Sequence, residues 1–162
     1  MNIENLSVAE ILELYSNILK KLKNDNIIRT NNFVGEIGEY LAIEHYQNTK
    51  GLPKLQAAPP NTKNIDAIST NGDRYSIKST TGNTTGVFYG LNPKGSNEKD
   101  VQRFEYILIV VFDGNISLMH ILEIDWNTFI KHKKWHSRMR AWNLVITKKL
   151  IEDCTIIYTQ GA

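Results

Sequence analysis

Glu39, Asp66, Ser76 and Lys78 are the residues of this chain whose types and order point to chemistry. Carboxylates supply the oxygen ligands that a hard divalent cation such as Mg²⁺ prefers, and Mg²⁺ usually keeps several waters besides. A cation held in this way polarises a phosphate and lowers the pKa of a bound water. An ammonium beside it can orient the attacking water or offset the charge that develops in the transition state. Asp66 and Glu39 are the candidate metal ligands, with the Ile77 backbone carbonyl as an extra one, and Lys78 is the candidate cationic group. The chemistry implied is hydrolysis of a phosphodiester, with Mg²⁺ (or Mn²⁺) as cofactor.

Three elements must position these groups. Arg74 to Thr80 reads as a strand, on which side chains alternate. Arg74, Ser76 and Lys78 therefore share one face, and Tyr75, Ile77 and Ser79 the other. Thr70-Asn71-Gly72-Asp73 is an Asn-Gly hairpin signal, and it joins that strand to another at Ile65–Ser69. The hairpin brings Asp66 beside Ser76 and Lys78. Glu39 lies on a helix predicted to start near Asn31 or Asn32, either a suitable N-cap. Phe33, Ile37, Tyr40, Leu41 and Glu44 fall along one stripe of that helix, and Gly35, Gly38 and Ala42 gather on another side. The two glycines suggest a close backbone approach or an irregular helix start. If the Phe33 stripe faces the sheet, Glu36 is the nearer acid; if the glycine side does, Glu39 is.

With these residues in view, the chain resembles the PD-(D/E)xK, or restriction-endonuclease-like, nuclease superfamily. The resembling segments are Gly35-Glu36-Ile37-Gly38-Glu39-Tyr40-Leu41-Ala42, Asn64-Ile65-Asp66-Ala67 and Gly72-Asp73-Arg74-Tyr75-Ser76-Ile77-Lys78-Ser79. The strand Phe104–Phe112 looks like the next core strand, so the likeness covers about residues 32–122. By it, Asp66 matches the first strand acid, Lys78 the lysine and Glu39 the helix glutamate. It implies an α/β core with a mixed central sheet flanked by helices, Mg²⁺ dependence and a nucleic-acid substrate. Ser76 departs from the pattern, which has Asp or Glu two residues before the lysine. A hydroxyl there can at best bond a metal-bound water. Glu36, one helical turn from Glu39, is the candidate carboxylate to take over the slot.

The rest of the chain reads as one domain, in three stretches: an N-terminal helical part (1–31), the core (32–122) and a helix and strand extension (123–162). Ser7-Val8-Ala9-Glu10 has capping-box spacing, and Val8, Ile11, Leu12, Tyr15, Ile18, Leu19 and Leu22 follow at helical intervals, predicting a helix over 8–24. A short edge strand is expected near Lys54–Ala57, and a long irregular loop over Thr81–Asn97. Phe104–Phe112 reads as a strand covered on both faces. A strand at Ile116–Leu122, a short helix capped by Asp125, and late strands at Asn143–Thr147 and Thr155–Tyr158 complete the reading. No stretch is long and apolar enough to cross a membrane. The lone Cys154 and the absence of a secretory signal near Glu4 point to a cytoplasmic protein.

The net charge is only +2, so attraction to a polyanion must come from local clustering. Lys131, Lys133, Lys134, Arg138 and Arg140 lie in one stretch with no acid, and Trp135 stands among them. Basic groups neutralise phosphates and Trp can stack on a base. With Arg74, these are the candidate DNA contacts. The four histidines lack defensible metal-ligand spacing. Two other classes stay open: a catalytically degenerate nucleic-acid-binding module on the same fold, favoured by Ser76, and a protein–protein interaction domain. A homodimer is compatible with a small nuclease that must cut both strands.

Overall fold

The computed structural model describes residues 2–162. Its centre is a mixed six-stranded sheet with helices on both faces. In chain order the elements are α1 (Val8–Asn24), α2 (Phe33–Asn48), β1 (Leu55–Ala57), β2 (Ala67–Ser69), β3 (Arg74–Thr80), β4 (Tyr106–Phe112) and β5 (Leu118–Asp125). They are followed by α3 (Trp126–His132), β6 (Lys134–His136), β7 (Ala141–Asn143), α4 (Lys148–Asp153) and β8 (Thr155–Thr159). The sheet runs β1-β2-β3-β4-β5-β8, and β6 and β7 form a separate two-stranded sheet. Among the described residues only β3 and β4 pair in parallel, with Ser76 opposite Ile107 and Lys78 opposite Ile109. No described helix is long and apolar enough to cross a membrane.

Local signals place most elements. Ser7 and Glu10 close the capping box of α1, Asp125 caps α3 through the Thr128 amide, and Thr147 caps α4 through the Leu150 amide. Gly72, at φ +87°, makes the β2–β3 turn, a conformation that costs glycine nothing. Several strand limits differ from the sequence reading. β2 begins at Ala67 rather than Ile65, because Asn64 has a left-handed backbone (φ +63°) that breaks the extended run. β5 begins at Leu118, since Asp113 ties down the amides of Asn115 and Ser117 and Ile116 sits at φ +63°. The expected strand at Asn143–Thr147 is instead Ala141–Asn143, paired with Lys134–His136 outside the main sheet.

The sheet separates two apolar clusters. On one face Tyr75, Ile77, Leu108, Val110 and Phe112 pack with Ala42 and Tyr46 of α2. On the other, Ile107, Ile109, Leu122 and Ile124 pack with Phe88, Phe129 of α3 and Leu150 of α4. The continuous apolar run of β4 supplies both, as a doubly covered strand requires. A parallel pair needs a long crossover, usually a helix. Here it is the irregular stretch 81–105, pinned down rather than free: the Thr85 and Phe88 amides bond the Leu144 and Trp142 carbonyls, and Ile146 bonds Asn83.

A paired-carboxylate candidate site

Helix α2 is set on the sheet by its glycine side. A Cβ built on Gly38 would lie 1.8 Å from Ser79 Oγ and 2.9 Å from Ser79 Cβ, so only glycine allows this approach to β3. Ala42 and Tyr46 continue the buried face, and Tyr46 Oη donates to Glu123 Oε2 at 2.5 Å, tying α2 to β5. Gly35 is different: its neighbour is the Asn32 side chain at the start of the helix. The helix phase left open by the sequence is therefore the one that brings Glu39 toward the β2–β3 corner.

Asp66 is held at that corner by its backbone. Its amide donates to the Tyr75 carbonyl (2.8 Å) and its carbonyl accepts from Ala58 (2.9 Å). Its Oδ2 accepts the Ile77 amide at 2.6 Å and the Ser76 hydroxyl at 3.3 Å. A strand residue's N–H and C=O point to the same edge, so the Ile77 carbonyl also faces the side where Asp66 stands. Among the described residues nothing donates to Asp66 Oδ1 or to the Glu39 carboxylate. Ser76 is buried, and its hydroxyl orients Asp66.

Glu39 and Asp66 line one cavity of about 480 Å³ with Arg29, Tyr40 and the loop Ala57–Thr62. Burial, and then the Asp66 carboxylate, push the Glu39 carboxyl up to about 7; Glu36 adds to the rise, while Arg29 and Lys78 oppose it. A neighbouring carboxylate in a half-desolvated space disfavours the charged form of Glu39. A divalent cation relieves that conflict, and its binding would release the Glu39 proton. Among the described residues no three His, Cys, Asp or Glu side chains gather to cage an ion. Carboxylate and carbonyl oxygens are the donors a hard cation that keeps most of its waters would take, and Asp66, Glu39 and the Ile77 carbonyl are the groups that would hold it.

No family model matches the chain, and no curated protein matches it.

The other expected site residues fall in different places. Glu36 is buried and occupied: its Oε2 accepts the Arg29 and Thr30 amides at 2.9 and 2.8 Å, and Arg29 Nε lies 3.7 Å from Oε1. Burial raises its carboxyl, but the Thr30 and Arg29 amides outweigh it and hold the group below the usual range. Its Oε2 is thus committed to the α1–α2 connection, although Glu36 lines the same cavity as Glu39 and Asp66. Lys78 is outside the cavity lining. Alternation puts it on the face away from α2, and its Nζ lies 5.1 Å from the centre of the Phe88 ring.

Arg74 forms a two-pronged pair with Glu105, Nε to Oε2 at 3.0 Å and Nη2 to Oε1 at 2.7 Å. In the basic stretch, Lys131 and His132 both hold Asp153, and Lys133 pairs with Asp100 beneath the Trp142 ring. Trp135 packs edge-on against Trp142 across the β6–β7 hairpin, which stabilises the hairpin. Lys134, Arg138 and Arg140 are exposed and pair with no described acid. Arg29 escaped the sequence reading. It sits in a loop with no periodicity, and nothing local marks it as a neighbour of Glu39.

Proposed function

We propose that this protein is a Mg²⁺- or Mn²⁺-dependent endonuclease that hydrolyses phosphodiester bonds in DNA on a restriction-endonuclease-like core. One observation carries the reading: Glu39 and Asp66 face a common cavity, with the Glu39 carboxyl raised to about 7 by burial and by its neighbour. Structural carboxylates are usually paired with a cation of the protein, whereas these two line one cavity and Glu39 feels the charge of Asp66. Perturbed acids in a cleft mark candidate functional sites.

In this reading a bound divalent cation supplies polarisation of the phosphate and acidification of water. Asp66 and Glu39 hold it, and the Ser76 hydroxyl and Ile77 amide keep Asp66 oriented through Oδ2. Lys78 offsets phosphate charge from the neighbouring strand position, its effect on Glu39 being the one electrostatic trace of it in the cavity. Lys134, Arg138 and Arg140 on the hairpin contact the DNA backbone.

The second reading is a DNA-binding module on the same fold that does not cleave. Two observations favour it: Ser76 stands where the resemblance expects an acid, and Lys78 rests over Phe88 outside the cavity. The test is a titration of Mg²⁺ and of Mn²⁺ against plasmid, linear and single-stranded DNA. Cleavage that Asp66→Asn abolishes supports the first reading. Retained binding with no cleavage under any metal supports the second, and no affinity for DNA at low salt removes both.

A further inference from the structure

The strands of the β6–β7 hairpin are committed to the protein. Trp135 packs against Trp142 with ring centres 5.1 Å apart, Ala141 and Asn143 are buried, and Lys133 lies over the Trp142 ring. Trp142 Nε1 donates to the Asn92 carbonyl at 2.8 Å, and the Trp142 carbonyl accepts the Phe88 amide at 2.7 Å. The base of the hairpin is thus clamped to the stretch 81–105. Apart from Lys134, its exposed residues are those of the turn, Ser137, Arg138, Met139 and Arg140. His136 Nδ1 accepts the Met139 amide at 3.1 Å, and Arg140 has a left-handed backbone (φ +49°), which together set the shape of the turn. Met139 is left 46% exposed at its centre.

An apolar side chain between two arginines, at the tip of an anchored hairpin, suits a particular way of holding DNA. Arg138 and Arg140 pair with no described acid, so their charge is available to phosphates. A methionine carried between them meets the edges of stacked bases. Apolar wedges of this kind enter the minor groove, unstack one base step and kink the duplex. A two-stranded ribbon lying in the major groove would read bases with its strand side chains, and here those are engaged with the protein. The hairpin also leans on Phe88, whose ring centre is 5.1 Å from Lys78 Nζ, so the tip and the strand lysine belong to one side of the sheet.

We propose that the β6–β7 tip is a minor-groove wedge: Met139 inserts at a base step of double-stranded DNA while Arg138 and Arg140 hold the flanking phosphates, so that the protein selects duplexes that unstack easily. The proposal rests on the reading of this protein as DNA-binding and adds a preference that this reading does not require. Pyrimidine–purine steps such as TA are the most easily kinked and unstacked, and a mismatched base leaves the stack more easily still.

The test uses two short duplexes, alike except for a central TA or GC step, with metal chelated so that no strand is cut. A second copy of the TA duplex carries 2-aminopurine at the central adenine, a base whose fluorescence rises when it unstacks. The wild-type chain should bind TA about fivefold more tightly than GC and raise the fluorescence. Met139→Ala should lose both the preference and the rise, whereas Met139→Leu, which keeps an apolar side chain of similar size, should retain them. Arg138→Ala/Arg140→Ala should weaken binding to both duplexes alike. If Met139→Ala does not bind at all, rescue by Met139→Leu supports the wedge and failure of both overturns it. Wild-type binding that lacks either the preference or the rise, or a rise undiminished in Met139→Ala, overturns the wedge and leaves the DNA-binding reading standing. No wild-type binding to either duplex at low salt overturns both.

Discussion

Two consecutive helices of this protein invert the usual relation between pattern and burial. α1 has the clearer apolar periodicity, a complete capping box and a lysine-rich end, yet none of its residues is buried. α2 has two glycines in its first half and an N-cap Asn32 that makes no side-chain cap bond, yet Gly38, Ala42 and Tyr46 are buried and Glu39 reaches the candidate site. An amphipathic stripe therefore states that a face must be covered, without saying by what. A glycine inside a helix, as at Gly38, costs about 1 kcal/mol against alanine and states that a neighbouring element must come close. The first leaves the partner of its helix unstated; the second fixes where a helix meets its own sheet.

The comparison is open to direct attack. The largest effect is expected at the corner that α2 approaches. Asp66→Asn keeps an acceptor for the Ile77 amide but removes a metal-binding charge, so metal-dependent cleavage should fall by at least about 100-fold, with the thermal midpoint little changed. Undiminished cleavage by this variant would remove the role assigned to Asp66. Next is Gly38→Val, whose side chain meets Ser79 on β3. Overpacking should cost about 2–3 kcal/mol in chemical denaturation; a cost near zero would mean that α2 does not depend on this contact.

The Glu39 carboxyl sharpens the contrast through pH. Its folded pKa, about 7, lies above the ordinary value of 4.5. The stabilisation from keeping it protonated is fully present below 4.5 and is lost as pH rises through about 7. Relative to Glu39→Gln, the wild-type protein should lose about 1–2 kcal/mol between pH 5 and pH 8, after allowance for solvent screening. Glu123, also raised chiefly by burial, titrates in the same direction and remains in the variant. Added Mg²⁺ should reduce the wild-type loss at pH 8, because the cation takes the place of the proton. Identical pH profiles for the two proteins would contradict the shared-cavity electrostatics.

Smaller effects are expected where side chains are free. Lys134→Ala, Arg138→Ala and Arg140→Ala should each lower the salt-dependence slope of DNA binding by about one, whereas Lys133→Ala should instead lower stability, since Lys133 is partnered by Asp100 and Trp142. The smallest change is expected on α1: Leu12→Ala, at a position 62% exposed, should shift stability by no more than about 0.5 kcal/mol. A larger loss would show that α1 packs against its own chain after all.

Much of the secondary structure was legible because its signals are local. Ser7 and Glu10, Asn71-Gly72, and Asp125 each act over a few residues, and each marks a boundary found in the structure. Strand alternation likewise separated Ser76 and Lys78 from Tyr75 and Ile77, and the hairpin put Asp66 next to Ser76. Less visible were positive-φ residues such as Asn64 and Ile116, which shortened β2 and β5. Partners far apart in sequence were not visible at all. Lys133 with Asp100 and Arg74 with Glu105 turn expected surface groups into structural ones.

The order of residues alone determined that the hairpin acid Asp66 would stand beside Ser76 of the next strand, because strand alternation and turn chemistry act within a few residues. Only the tertiary structure decided which side of α2 meets the sheet, and that of Glu36 and Glu39, which both line the cavity with Asp66, it is Glu36 that ties down a loop, while Glu39 keeps its carboxylate free of hydrogen-bond donors among the described residues. The reason is steric: the gap between α2 and β3 admits a glycine and nothing larger, and the sequence does not record the size of that gap.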